Sequence, residues 1–382
     1  MRIGIITQFG SKDNYGQVLQ SLALCTMLKN MGHNAFVIQY CPKGILSPRN
    51  RIIRCLKSIY KYYKIVTKKG VQYQDYLLDK KNRIREFDVF RGKYLPMSEC
   101  KYYDLNQLRK NPPAADCYIT GSDQVWGQLL NNENNKTFFL DFGGDSVRRI
   151  SYAASFARND YPDELKGELK KQLSKFHAIS VREPEGVEIC KRLGYNQTQL
   201  VLDPTLLLTK KDYEQYISAK QHPNTSLFIY CININNGDDI RWNEINEYAN
   251  QKNLHITVTT ATGYLPGYEI LEGANYLYAT IGEWLGNINN AQYVATTSFH
   301  GVVFSIIFNK DFIFIPLKGL HQQGNNRVIR LLEELGITDR ILSDGMYIED
   351  ILNKPIDWNA VGIRMNSLRE HSINYLNKSL SE

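Results

Sequence analysis

IGIITQFGSKDNYGQVLQSLALCTMLKNMGHNAFVIQY, residues 3–40, contains a complete strand–helix–strand unit. Ile3, Ile5 and Ile6 make the short apolar block that a buried strand requires. Val18, Leu19, Leu22, Met27, Leu28 and Met31 recur at helical spacing, and Gly32 stands where that helix would end. Ala35 to Tyr40 is a second apolar run. Two strands joined through one helix lie parallel with a right-handed crossover, so the unit predicts an open parallel α/β sheet.

The same alternation continues outward. Strands are predicted at Cys117–Thr120, Ile150–Phe156, Ala178–Val181 and Leu200–Leu202, with helices near Glu164–Lys175 and Pro184–Leu193. A second block starts near residue 225. It has predicted strands at Ser226–Ile232, His255–Thr260, Tyr293–Thr297 and Phe312–Ile315. Its helices are predicted at Ile240–Gln251, Gly282–Asn289, Val302–Asn309 and Arg327–Leu335. The tail from Trp358 to Leu380 keeps helical spacing with no sheet of its own, and is expected to pack back on the first domain. Because 382 residues exceed what one core usually serves, the chain divides into domains 1–205 and 206–357 and a helix 358–382.

Composition narrows the class. With 43% hydrophobic and 22% charged residues, the chain is globular rather than collagenous, coiled-coil or disordered. No apolar run approaches the roughly 18–20 residues that cross a bilayer; Gly301 to Phe308 is stopped by Asn309-Lys310-Asp311. The expected location is therefore the cytoplasm. Seven cysteines without a CxxC spacing predict neither a disulfide framework nor a structural metal site. The net charge of +7 is unevenly spread: residues 49–93 carry fourteen Lys/Arg against four Asp/Glu. That stretch reads as a helical insertion over the first domain, suited to an anionic membrane surface or simply to a solvated face.

Open α/β sheets bind ligands at the carboxyl ends of their strands, so the residues there decide function. Asn14-Tyr15-Gly16 precedes the first helix, where free N–H groups suit an anion or a sugar hydroxyl; Asn14 is equally explained as a plain cap. Gly121-Ser122-Asp123-Gln124-Val125-Trp126 sets hydrogen-bonding side chains beside an indole, as a sugar cleft does; Trp126 as core is the alternative. Arg182 ends a strand and suits a carboxylate or phosphate, although a salt bridge to Glu183 would also account for it. Asp203 before Pro204 reads as turn chemistry. Ser298-Phe299-His300-Gly301 puts an imidazole in a strand-to-helix turn, where the dipole disfavours positive charge and proton exchange near neutral pH is expected. Lys318, His321 and Arg327 follow as cations that would close on an anion.

In order along the chain, Asn14-Tyr15-Gly16, Gly121 to Trp126, Ser151-Tyr152-Ala153-Ala154-Ser155-Phe156, Val181-Arg182-Glu183, Leu202-Asp203-Pro204-Thr205 and Ser298 to Gly301 resemble the polysaccharide pyruvyl transferases. The likeness spans about residues 1–340. It implies two Rossmann-like domains facing a cleft, as in GT-B glycosyltransferases, with the C-terminal helix on the first domain. It also implies transfer of a pyruvyl group from phosphoenolpyruvate to two hydroxyls of one sugar, with loss of phosphate. The acceptor would be a glycan, in many members lipid-linked at the cytosolic membrane face. Phosphoenolpyruvate is then a co-substrate, and neither cofactor nor metal is expected.

By that resemblance His300 is the general acid and base, and Arg182 and Arg327 hold the donor's carboxylate and phosphate. Ser298, Phe299, Gly301 and Lys318 join them on the donor side; Asn14, Tyr15, Gly16, Ser122, Asp123, Gln124 and Trp126 line the acceptor side. Some relatives carry an arginine two residues before the histidine. This chain has Ser298 there, and Arg327 stands in from the following helix. The competing readings are a GT-B glycosyltransferase using a nucleotide sugar, and a non-catalytic protein that binds an anionic membrane or nucleic acid through 49–93. No nucleic-acid motif accompanies that charge, so nucleic acid is not an expected partner.

Overall fold

The computed structural model describes residues 1–42, 59–60, 62–64, 66–68, 73, 77, 80–218, 226–260, 270–271 and 273–381. Part of the basic stretch 49–93 therefore lies outside the described residues; of the rest, a helix at Phe87–Tyr94 buries Phe87, Phe90 and Arg91.

The opening unit folds as its pattern predicts. Strand β1 (Arg2–Ile6) pairs in parallel with β2 (Asn34–Tyr40), and helix α1 (Tyr15–Asn30) crosses between them. Asn14 caps α1 by accepting from the Gln17 N–H at 3.1 Å, and Gly32 turns the chain out at φ 85°. Val18, Leu19, Leu22, Ala23, Leu24 and Leu28 are all buried, so α1 is a core helix rather than an amphipathic surface one. β1 also pairs with β4 (Cys117–Thr120), and β4 with β5 (Arg148–Ser151). On the far side β2 pairs with β3 (Met97–Tyr102), giving the order β3-β2-β1-β4-β5 with every pair parallel. A small pair, β6 (Ser180–Val181) and β7 (Gln199–Leu200), continues the sheet through single bridges from Ile150 to Ala178 and from Ala154 to Val181. Helix α2 (Pro184–Arg192) connects them.

A second sheet repeats the plan. β8 (Ser226–Cys231), β9 (His255–Thr260), β10 (Asn275–Tyr276), β11 (Tyr293–Thr296) and β12 (Asp311–Phe314) take the order β10-β9-β8-β11-β12, again parallel. Its helices include α3 (Trp242–Gln251), α4 (Ile281–Asn290), α5 (Phe299–Ile307) and α6 (Asn326–Leu335). Both sheets are of the Rossmann kind, and residues that follow strands of both line shared cavities.

Several elements differ from the pattern-based expectation, β3 and β5 among them. β3 reads MSECKY and buries only Ser98 and Tyr102, so a polar edge strand gives no alternation to detect. The predicted strand 150–156 leaves the ladder at Ser151, and Ala153 adopts φ 55°.

Two features join the halves. Tyr15 stacks on Trp284 of α4 at 5.0 Å and 11°, meets Tyr230 edge-on, and donates its hydroxyl to the Ala279 carbonyl at 2.6 Å. The long helix α7 (Trp358–Ser381) begins beside α6, where Arg364 donates to Leu335 O. It then crosses to the first sheet: the Leu202 N–H donates to Ser372 Oγ at 3.0 Å, and Tyr375 donates to Ser151 O at 2.8 Å. No helix of the described residues is long and apolar enough to cross a membrane.

Candidate active site

In each sheet the strand order reverses beside the central strand, between β1 and β4 and between β8 and β11. The segments leaving these strands meet in the cleft, where such crevices take ligands. After β4 the chain turns at Gly121 into Ser122, whose carbonyl accepts from Thr7 Oγ1 at 2.6 Å. The buried Ser122 hydroxyl donates to Asp203 Oδ2 at 2.9 Å. Asp203, just after β7, also accepts from the Thr205 N–H at 3.1 Å and the Thr205 hydroxyl at 2.7 Å. Its carboxylate is fully enclosed.

Arg182 leaves β6 with its side chain 3% exposed, among three acids. Its guanidinium lies 3.4 Å from Asp203, 3.6 Å from Glu183 and 3.8 Å from Asp123. Burial alone would raise the Asp203 carboxyl. His300, Arg182 and the Thr205 hydroxyl outweigh it and hold the group far below the usual carboxylate range. Glu183 is fixed in turn by the Phe156 N–H, which donates to it at 2.8 Å.

The second domain supplies the imidazole. β11 ends at Thr296, whose hydroxyl donates to Tyr230 O and accepts from the Ser298 N–H, and α5 starts at once. His300 is its second residue. Its Nε2 stands 3.7 Å from Asp203 Oδ1, and its side chain is 13% exposed. A Cβ placed on Gly16 would fall 1.9 Å from His300 Nδ1, so the glycine at the start of α1 is the seat of the ring. Two guanidiniums lie over the Phe299 ring, Arg182 at 5.9 Å and Arg327 at 5.1 Å from its centroid. Among the described residues Arg327 has no carboxylate within salt-bridge distance. Burial, reinforced by repulsion from Arg182, pushes its pKa down to about 10.

Two cavities flank this stack. One of about 390 Å³ is lined by Arg182, Asp203, Phe299, Arg327 and α7. The other, of about 260 Å³, is lined by Gln124, Glu183, Asn233, Thr297, His321 and Arg327. Among the described residues no three His, Cys, Asp or Glu side chains group as metal ligands.

The structure gathers His300, Arg182, Arg327, Phe299, Ser122, Asp123, Gln124 and Gly16 around this centre, but it reassigns several other residues. Trp126 is not a sugar platform: it is buried, stacked on Phe139 at 5.2 Å, with its N–H donated to Phe138 O. Tyr15 is the interdomain stack, not a cleft wall, and Asn14 is spent on its cap. Ser298 is buried and hydrogen-bonds the Tyr230 side chain. Gly301 admits Thr296 rather than a ligand, since a Cβ there would lie 2.1 Å from Thr296 Oγ1. Lys318 is exposed and makes none of the contacts of the Asp203 cluster; neither it nor His300 lines the two cavities. Asp203, read from sequence as turn chemistry, does cap its turn and is also the hub that joins Ser122, Arg182 and His300.

The family model for polysaccharide pyruvyl transferase matches residues 14–318. No curated protein matches the chain significantly in sequence. Among solved structures, the S. aureus MnaA–UDP complex is similar at 10% identity and a TM-score of 0.48, over 99% of this chain and 96% of that one. UDP-GlcNAc 2-epimerase from Neisseria meningitidis bound to UDP-GlcNAc gives 8% and 0.46, over 100% and 99%. UDP-N-acetylglucosamine 2-epimerase from Rickettsia bellii gives 11% and 0.45, over 99% and 98%.

Proposed function

The chain belongs to the polysaccharide pyruvyl transferase family, and from that premise we propose that it moves the pyruvyl group of phosphoenolpyruvate onto two hydroxyls of one sugar in a glycan or lipid-linked glycan precursor. The observation that carries this reading is the interdomain contact of His300 with Asp203, beside the Arg182–Phe299–Arg327 stack.

The chemistry needs one proton delivered and two removed. Protonation of the enol CH2 makes it a methyl group and leaves an oxocarbenium-like carbon, to which the first hydroxyl adds. The carbon–oxygen bond to phosphate then breaks, and the second hydroxyl closes the ketal. Of the two hydroxyl protons, one balances the proton given to carbon and one leaves on phosphate. His300 is the group that carries these protons, and the Asp203 carboxylate stands 3.7 Å from its Nε2. Arg327, with no carboxylate within salt-bridge distance among the described residues, receives the phosphate or carboxylate of the donor, with Arg182 held beside it by Asp203.

The test is incubation with phosphoenolpyruvate and a panel of glycans, following phosphate release and acceptor mass. A gain of pyruvic acid less one water is expected. Gain of a whole sugar from a nucleotide sugar, with no phosphate released from phosphoenolpyruvate, would overturn the reading.

A further inference from the structure

The donor proposed above has two anionic ends, a phosphate and a carboxylate, and each calls for a cation. Arg182 is encircled by Asp123, Glu183 and Asp203, so its charge is already answered within the protein. Arg327 has no carboxylate within salt-bridge distance among the described residues, and its Nε is buried without a hydrogen-bond partner. That accounts for one end. The 260 Å³ cavity brings a further cation to the same space: Arg158 of the first domain lines it together with Arg327 of the second. Thr297 and Phe299 line it as well, and Phe299 is next in sequence to His300.

A fixed turn presents Arg158. Ala157, directly before it, has φ 51°, a left-handed conformation that a non-glycine residue keeps only where its surroundings enforce it. Glu183 Oε1 accepts from the Phe156 N–H at 2.8 Å and from the Ala157 N–H at 3.4 Å, and Ser155 Oγ accepts from the Ala157 N–H at 3.2 Å. The guanidinium is oriented by uncharged partners. Nη2 donates to Gly127 O at 2.5 Å, Nε donates to Phe156 O at 3.4 Å, and Cζ lies 5.5 Å from the centroid of the Tyr161 ring. Among the described residues nothing accepts from Nη1, and no carboxylate is within salt-bridge distance of Arg158. The fork is therefore aligned while its charge stays uncancelled. Glu183, Glu185 and His321 also line the cavity. Glu183 is engaged by the turn and by Arg182 at 3.6 Å, which leaves Glu185 as the acid set against two arginines.

We infer that Arg158 is a second donor-binding residue, which grips one anionic end of phosphoenolpyruvate while Arg327 grips the other across the 260 Å³ cavity. The inference rests on the transferase reading for the identity of the donor. A two-ended anion bound in this way bridges the two domains.

Calorimetry on the whole chain tests it with phosphoenolpyruvate, inorganic phosphate, pyruvate and inorganic pyrophosphate. Arg158→Gln is expected to weaken phosphoenolpyruvate binding by about 10- to 100-fold, the scale of one hydrogen bond to a charged group. Arg158→Lys, which keeps the charge and loses the fork, should fall between Arg158→Gln and wild type. The loss of affinity with added salt should be shallower in Arg158→Gln than in wild type, because one charge fewer is there to be screened. Unchanged affinity in Arg158→Gln overturns the inference. So does an equal loss in the Lys and Gln variants with the salt dependence unaltered, since that is the mark of a disturbed turn. Phosphate and pyruvate each carry one of the two ends, so Arg158→Gln should lose one of them and Arg327→Ala the other. Loss of the same fragment in both variants overturns the two-ended grip. A wild-type chain that ignores phosphoenolpyruvate yet binds pyrophosphate through Arg158 removes the transferase reading and keeps the two-anion site; one that binds neither overturns the site.

Discussion

His300 Nε2 of the second domain stands 3.7 Å from Asp203 Oδ1 of the first, so the proposed proton carrier and its neighbouring carboxylate come from different halves of the chain. His300→Ala should lower turnover by about 10²–10⁴-fold, the usual worth of a positioned acid or base. Its melting temperature should stay within a few degrees of wild type. Near-normal phosphate release from that variant would take His300 out of the mechanism.

Gly16→Ala is expected to mimic that loss from the other domain. The new methyl would fall 1.9 Å from His300 Nδ1, and the ring must leave its seat. Turnover should drop while phosphoenolpyruvate affinity holds. Wild-type turnover in Gly16→Ala would show that the ring's position is not critical.

Asp203→Asn bears on stability and pH together. Its carboxyl is held below the ordinary range in the folded state, so ionisation stabilises the fold above the unfolded value of about 3.9 and less so as pH falls below it. The variant, with a buried Arg182 left short of a partner, should lose about 3–5 kcal/mol at pH 7. Urea unfolding between pH 3 and pH 7 should show the two proteins converging toward acid. A constant gap across that range would mean that the carboxylate's charge is not what stabilises.

The two arginines should separate. Arg182→Ala strands Asp203, Asp123 and Glu183 and is expected to destabilise the whole protein. Arg327→Ala removes a cation without a carboxylate partner among the described residues; it should weaken donor binding about tenfold or more with little change in melting temperature. Calorimetry with phosphoenolpyruvate, read beside thermal unfolding, distinguishes the two.

Trp126→Ala should cost about 3–5 kcal/mol and leave the acceptor KM of the surviving folded protein unchanged, because the indole is core. A selective rise in acceptor KM would restore it to the cleft.

What was legible in sequence was what repeats locally. Buried parallel strands such as SLFIYC at Ser226–Cys231 are continuous apolar runs, and α1 keeps helical spacing, so the two-sheet plan could be read directly. β3 could not, because an edge strand is free to be polar. His300 and Arg182 stood out because charged residues at strand ends are conspicuous. Asp203 did not, since its local bonds to Thr205 are those of any Asp-Pro turn, and Ser122 lies 81 positions away. Trp126 misled for the opposite reason. Polar neighbours suggested a cleft, but the backbone turn at Asp123, with φ 84°, sends the indole inward.

The stack of Tyr15 on Trp284 has a mechanical consequence. Tyr15 is adjacent in sequence to Gly16, on which the imidazole rests, so the stack that joins the halves and the His300 ring meet at one spot. If one lobe swings against the other about that fulcrum, the short lever arm keeps the ring almost still and gives the rim the larger travel. In such a swing the rim would change its width while His300 kept its place beside Asp203.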